Sequence, residues 1–144
     1  MEIINRRARM TSLTRKLRRE NKTIGFVPTM GALHAGHLSL VEEARQMCDV
    51  VIVSIFVNPA QFNETTDFAK YPRDLTADAE LLTEYQVDYI FAPEEQEIYG
   101  ENFSTYVYVE HLTETLEGAS RPGHFRGVAT VVTILFNTMR PDYA

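Results

Sequence analysis

One cysteine, Cys48, is present among 144 residues. A single thiol excludes an internal disulfide framework and fits a reducing compartment. No apolar run approaches the ~20 residues needed to span a bilayer, and no signal-peptide pattern opens the chain. These absences predict a cytoplasmic protein without a membrane segment. Positive charge is also short. Lys and Arg number 14 against 20 Asp and Glu, a net charge of −6, which argues against a general nucleic-acid binder because that function needs a basic field. Internal repeats and low-complexity segments are absent as well.

What is present is the composition of one globular domain, 44% hydrophobic and 24% charged, with enough length to bury a core. More than half of the basic residues crowd the start, at Arg6, Arg7, Arg9, Arg15, Lys16, Arg18, Arg19 and Lys22. A polyanion patch or an Arg-rich transit peptide would look like this. Met10, Leu13 and Leu17 recur at helical spacing, however, so the basic residues more simply form the solvated face of an amphipathic helix.

Three apolar runs read as buried parallel strands: Ile24–Val27 closed by Pro28, residues 50–57 (VVIVSIFV) ended by Asn58 and Pro59, and residues 87–93 (VDYIFAP). Between the first two, Leu40, Val41, Ala44, Met47 and Cys48 form a helical stripe, which places Cys48 in the core. Asp74 is placed to cap a helix over residues 75–85, with Leu75, Ala79 and Leu82 as its buried stripe. Alternating strands and helices predict an α/β fold with a doubly wound parallel sheet. Residues 105–110 (TYVYVE) alternate as a short strand or edge segment would. Gly127–Met139 carries no charge and has Val128, Val131, Val132, Leu135 and Met139 at helical spacing, a helix buried in the domain or in a subunit contact. RPDYA, at 140–144, stands where a further strand would begin.

The chemistry is expected in PTMGALHAGH, residues 28–37. A strand that feeds a helix through a glycine-bearing turn sets backbone N–H groups and the positive helix end beside the turn, and anions bind there. Gly31 and Gly36 permit unusual φ values and close approach. His34 and His37, three positions apart, put two donors on one side of the first helical turn, where they can stabilise charge building on a phosphoryl group. The bland reading is a pair of helix-cap histidines. A zinc site needs more ligands than two histidines. Beyond the second strand, Asn58 and Gln61 lie near that turn, as ligand-binding residues or as turn formers. Arg73 reads as a phosphate contact or a surface ion pair, and Asp74 and Asp78 as magnesium ligands or solvated aspartates. Arg121, Pro122, Gly123, His124 and Arg126 form either a cationic loop over an anionic substrate or a basic surface turn.

The HxGH pair and its surroundings resemble the nucleotidylyl-transferase superfamily. With VPTMGALHAGH, SIFVNPAQF, YPRD and LEGASRPGHFRGVATVV followed by LFN and RPD, in this order, the chain from about Thr23 onward resembles the pantoate–β-alanine ligase family, the pantothenate synthetases. That resemblance implies a Rossmann-like domain that activates pantoate with ATP, magnesium accompanying the nucleotide, and joins it to β-alanine. It implies that Met30, Gly31, Ala32, Leu33, His34, Ala35, Gly36 and His37 line the ATP site. His34 and His37 would be the catalytic phosphate contacts, with His37 in the proton-donor role. Gln61 would hold pantoate and lie near β-alanine, Asn58 would shape the same pocket, and Arg121 and His124 would be further candidates. The whole protein would be a homodimer.

Residues 1–144 would then be the N-terminal nucleotide- and pantoate-binding domain, about the first half of the family's length. Family segments bearing a lysine and glutamine, a serine and arginine loop, and a C-terminal lid would lie beyond it. Little catalysis is expected of this half alone. Another HxGH nucleotidylyl transferase, or an inert nucleotide-binding or dimerising fragment, stands as the alternative.

Overall fold

The computed structural model describes residues 1–63 and 65–144. Four strands, β1 (Glu2–Ile4), β2 (Ile24–Thr29), β3 (Val50–Ile55) and β4 (Tyr89–Phe91), form one sheet in the order β1-β4-β3-β2, every pair parallel. The helices are α1 (Arg7–Arg19), α2 (Ala35–Met47), α3 (Thr65–Lys70), α4 (Leu75–Glu84), α5 (Glu95–Ile98), α6 (Glu117–Ser120) and α7 (His124–Met139).

The central strand β3 shows why the sheet is covered twice. Val50 and Ile52 pack with Met10 and Leu17 of α1 and with Val131, Leu135 and Met139 of α7. Val51 and Val53 point the other way, onto Leu38, Val41 and Ala44 of α2 and Leu82 of α4. A strand without a polar face needs helices on both sides. Each side chain so buried contributes roughly 1.5–3 kcal/mol. The doubly wound parallel α/β fold expected from the sequence is what forms.

Several details differ from the expectation. Residues 2–4 form an edge strand, with Glu2, Ile3 and Ile4 in register with Tyr89, Ile90 and Phe91; three residues are too few for an alternation pattern to show. Pro28 does not close β2 but lies within it, in register with Ser54. Phe26, two residues earlier, directs its N–H outward to the Tyr143 carbonyl at 2.9 Å, so the missing N–H of Pro28 also falls on the outer side. On α2 the buried stripe is Leu38, Val41 and Ala44, whereas Leu40 and Met47 are exposed. On α4, Asp78 and Leu82 are buried and Leu75 is exposed. Residues 105–110 form no strand; the Val107 N–H donates to Thr130 Oγ1 at 3.0 Å instead of joining a ladder.

The basic residues of α1 lie on its exposed side, and Met10, Thr14 and Leu17 are buried. Ion pairs such as Arg9–Glu2 and Arg6–Glu97 occupy that side. After α7, Tyr143 bridges Gly25 in parallel, so a further strand position opens beside β2 where RPDYA predicts one. Among the described residues no helix is long and apolar enough to cross a membrane.

Candidate active site

Two loops leave the carboxyl ends of adjacent strands: residues 30–34 after β2, and a 3-10 turn, Pro59–Gln61, after β3. Ligands of open parallel sheets sit at such ends.

The first loop is tightly wired. Gly31 has φ +83° and Ala32 φ +53°, a left-handed pair that costs strain at alanine. Asp78, at 7% exposure on α4, holds the pair in place: Oδ2 accepts from the Ala32 N–H and Oδ1 from the Leu33 N–H, each at 3.0 Å. A Cβ on Gly31 would stand 2.8 Å from Asp78 Oδ2, so a side chain there would displace the clamp. Each Asp78 oxygen thus has a backbone partner, and the carboxylate's evident task in the fold is to hold this turn. Asp74 caps α4 as expected, accepting from the Ala77 N–H at 3.0 Å.

The two histidines cap α2 reciprocally. His34 Nδ1 accepts from the Gly36 N–H at 3.1 Å, and His37 Nδ1 accepts from the His34 N–H at 3.4 Å. An imidazole that accepts at Nδ1 carries its neutral-state proton on Nε2. Both rings, 4.1 Å apart at their centroids, therefore offer an Nε2–H to a ligand. The Gly31 N–H is also paired, with Thr29 Oγ1 at 3.2 Å. The backbone donors expected to be open at this turn are thus largely engaged, and the ring N–H groups replace them. The cap reading of these histidines is what forms, and it uses only Nδ1 of each ring.

Partial burial and the facing His34 push the His37 pKa below its ordinary 6.5, with Asp78 opposing. A folded pKa below the unfolded one means fewer protons bound in the folded state within that window. Stability from this group therefore rises as pH rises through the window and falls on acidification. Protonation also places a hydrogen on Nδ1 against the His34 N–H. An NMR titration is expected to give a His37 midpoint below 6.5, moved upward by His34→Ala and further down by Asp78→Asn; a midpoint at or above the ordinary value would refute this account.

The second loop meets the first across a cavity of about 270 Å³ that brings His37, Met30, Asn58 and Gln61 together over an apolar wall of Val128, Val131, Val132 and Leu135. Gln61 Nε2 lies 2.9 Å from Met30 Sδ. Asn58, only 1% exposed, is fully bonded by its neighbours rather than facing the cavity with a free group. Arg121 and His124 also act behind Gln61: Nη2 and Nδ1 stand 3.4 and 2.7 Å from its backbone carbonyl. Helix α7 approaches this turn so closely that a Cβ on Gly127 would lie 2.1 Å from the Ala60 carbonyl oxygen. Ala32 and Ala35 face solvent.

A second cavity, about 410 Å³, opens on the other side of Met30 with Arg73 and Asp74 at its rim. Arg73 is bonded to the carbonyls of Phe68, Ala69 and Tyr71 and stacks over Phe68, so it serves its own loop. Sequence reasoning missed the clamp role of Asp78. Asp78 and Leu82 share one face of α4 four residues apart, which marks Asp78 as buried but not what it bonds.

Fold and turn together define a doubly wound α/β domain of the HxGH nucleotidylyl-transferase type. The chain belongs to the pantoate–β-alanine ligase family, whose model, described as Pantoate-beta-alanine ligase, matches residues 2–144. It is 57% identical over 144 residues to a pantothenate synthetase of Heliobacterium modesticaldum, covering 100% of this chain and 51% of that protein. It is 63% identical over 128 residues to one of Carboxydothermus hydrogenoformans, covering 88% and 45%. Its structure is similar to that of the pantoate–β-alanine ligase of Francisella tularensis complexed with Beta-gamma ATP and Beta-alanine, with TM-score 0.93 and 43% identity over 99% of this chain and 54% of that one. The chain spans about half the length of the curated relatives it matches.

Proposed function

We propose that this chain is the nucleotide- and acid-binding half of an ATP-dependent pantoate–β-alanine ligase. In the first step the pantoate carboxylate attacks the α-phosphorus of ATP, forming pantoyl adenylate and releasing pyrophosphate. In the second the β-alanine amine attacks the acyl carbon, forming the amide of pantothenate and releasing AMP. The observation that carries this reading is the single cavity holding His37, Met30 and Gln61 over an apolar wall. It suits a compact branched acid beside a phosphate-binding helix end. The Francisella tularensis relative, complexed with Beta-gamma ATP and Beta-alanine, supports the nucleotide and the amine. The proposal includes a homodimeric whole enzyme, as the resemblance implies, and a cytoplasmic one, as the single cysteine predicts.

The residues act by alignment and charge. A carboxylate is a poor nucleophile, so holding it in line with phosphorus supplies much of the rate. The Gln61 amide and the apolar wall hold the acid, and the Nε2–H groups of His34 and His37 meet charge developing on the phosphoryl oxygens. The positive end of α2 adds to that field. Magnesium neutralises triphosphate charge when bound. The donor set here does not make a cage for it: both Asp78 oxygens hold the backbone, and no group of three or more His, Cys, Asp or Glu among the described residues could hold a metal.

Calorimetric titration with a magnesium-bound, non-hydrolysable ATP analogue tests this half directly. Saturable binding that pantoate strengthens is the expected result. A folded chain that binds neither ligand would overturn the reading of residues 24–61 as a half-site.

A further inference from the structure

Asn58 and Gln61 form a chain of amides whose orientation is fixed by groups that allow no choice. The Ala60 N–H can only donate, and it points at Asn58 Oδ1 at 3.2 Å. The Gly127 carbonyl can only accept, and Asn58 Nδ2 donates to it at 3.2 Å. With the Asn58 amide so fixed, its second Nδ2 hydrogen goes to Gln61 Oε1 at 3.0 Å. Turning Gln61 over would set two NH2 groups face to face. Its Nε2 is left toward the cavity, where Met30 Sδ is only a weak acceptor.

The remaining bond of this network comes from outside both loops. The Tyr99 hydroxyl, just beyond α5, donates to Asn58 Oδ1 at 2.6 Å, the shortest contact in the group. Its ring is held edge-on by Phe103 at 4.9 Å and lies near Phe56 at 6.3 Å, so the hydroxyl is aimed by packing. Burial pushes its pKa up to about 12, which keeps it a donor throughout the physiological range.

We propose that Tyr99 is a positioning residue for acid binding: the backbone groups of Ala60 and Gly127 set which way the Asn58 amide faces, and the Tyr99 bond restrains it there, so that Gln61 keeps its NH2 toward the cavity and the wall offers donors to an acceptor oxygen. The proposal rests on the reading of that cavity as the pantoate site. Gln61 is the group that touches the acid, and Tyr99 acts two bonds away. An amide held in one orientation discriminates for a carboxylate or hydroxyl oxygen and against an ammonium group at that wall, because the group it presents only donates.

Tyr99→Phe removes one oxygen atom and leaves the ring contacts. In this variant of the chain, NMR exchange of the Asn58 side-chain amide protons is expected to be about tenfold faster than in the parent, on the order of one lost hydrogen bond. Pantoate affinity is expected to fall by about the same factor, with affinity for the ATP analogue unchanged and the melting temperature lowered by no more than the few degrees that one lost hydrogen bond costs. Unaltered exchange and unaltered pantoate affinity would overturn the proposal. Parallel losses of pantoate, nucleotide and thermal stability would also overturn it, because they would make Tyr99 a packing residue only. If the parent binds no pantoate but Tyr99→Phe still frees the Asn58 protons, the relay stands and the ligase reading of the cavity fails.

Discussion

Replacing Asp78 by Asn is expected to lower the melting temperature of this chain by roughly 10 °C and to weaken nucleotide-analogue binding by well over tenfold. Asp78 gives each of two backbone N–H groups its own charged acceptor at 3.0 Å. Asparagine keeps one acceptor and turns an NH2 toward the other N–H. Hydrogen bonds to a charged group contribute about 1.5–3 kcal/mol each, and a buried donor left unpaired adds to the loss, so a change near 3 kcal/mol is reasonable. For a domain of this size that corresponds to the stated shift. The binding loss follows from the same contact, since Ala32 at φ +53° is held in a left-handed conformation that the clamp stabilises. Asp74→Asn is the control, because asparagine caps a helix about as well as aspartate and the Asp74 carboxylate bonds the Ala77 N–H of its own helix. Thermal melts and titrations of the two variants side by side decide it. If Asp78→Asn melts with the parent and binds equally, Asp78 is not the clamp. A metal-ligand role for Asp78 would leave metal-free melting unchanged and reduce only binding.

The contrast between Asp74 and Asp78 shows what was legible in the sequence. A helix cap is a local signal, an acidic residue just before an apolar repeat, and Asp74 was found at its place. The clamp joins residues 46 apart in the chain. No spacing rule predicts such a contact, because it depends on how α4 packs beside the turn after β2. Likewise β3 was readable because it is apolar on both faces, whereas β1 owes its existence to the exposed edge of β4. The stripe on α2 was misplaced for a related reason: Leu40 and Met47 fit a helical period, but the sheet meets the face of Leu38, Val41 and Ala44. Periodicity gives a helix and leaves its rotation open.

At the candidate site, residues singled out from the sequence lie together around one cavity, and their hydrogen bonds are what the structure adds. His34, His37, Met30, Asn58 and Gln61 were all singled out. Their wiring was not, because Asn58 draws partners from Tyr99 and Gly127, far away in the chain. Asn58, expected to shape the pocket, lines the cavity with its amide bonded on every side, and Arg121 and His124, further candidates, bond the Gln61 backbone carbonyl. A polar residue near a ligand is as often a support as a contact, and only its hydrogen-bond partners distinguish the two.

His37→Ala is expected to slow adenylate formation at least about 100-fold in a ligase of full family length that carries this half, the usual cost of one lost transition-state donor. The fold should survive. The His37 ring meets the backbone through a 3.4 Å contact at the partly exposed start of α2, which is worth well under 1 kcal/mol. His34→Ala should behave differently, because His34 is the N-cap of α2, and losing a cap costs about 1 kcal/mol of stability. Pyrophosphate release in single turnovers, measured with saturating pantoate, reads the chemical step, and thermal melts read the fold. A folded His37→Ala ligase with parental rates would sink the donor assignment. A rate loss that disappears when the ATP concentration is raised would instead place His37 in ground-state binding, since a donor that acts only on the developing charge changes the maximal rate.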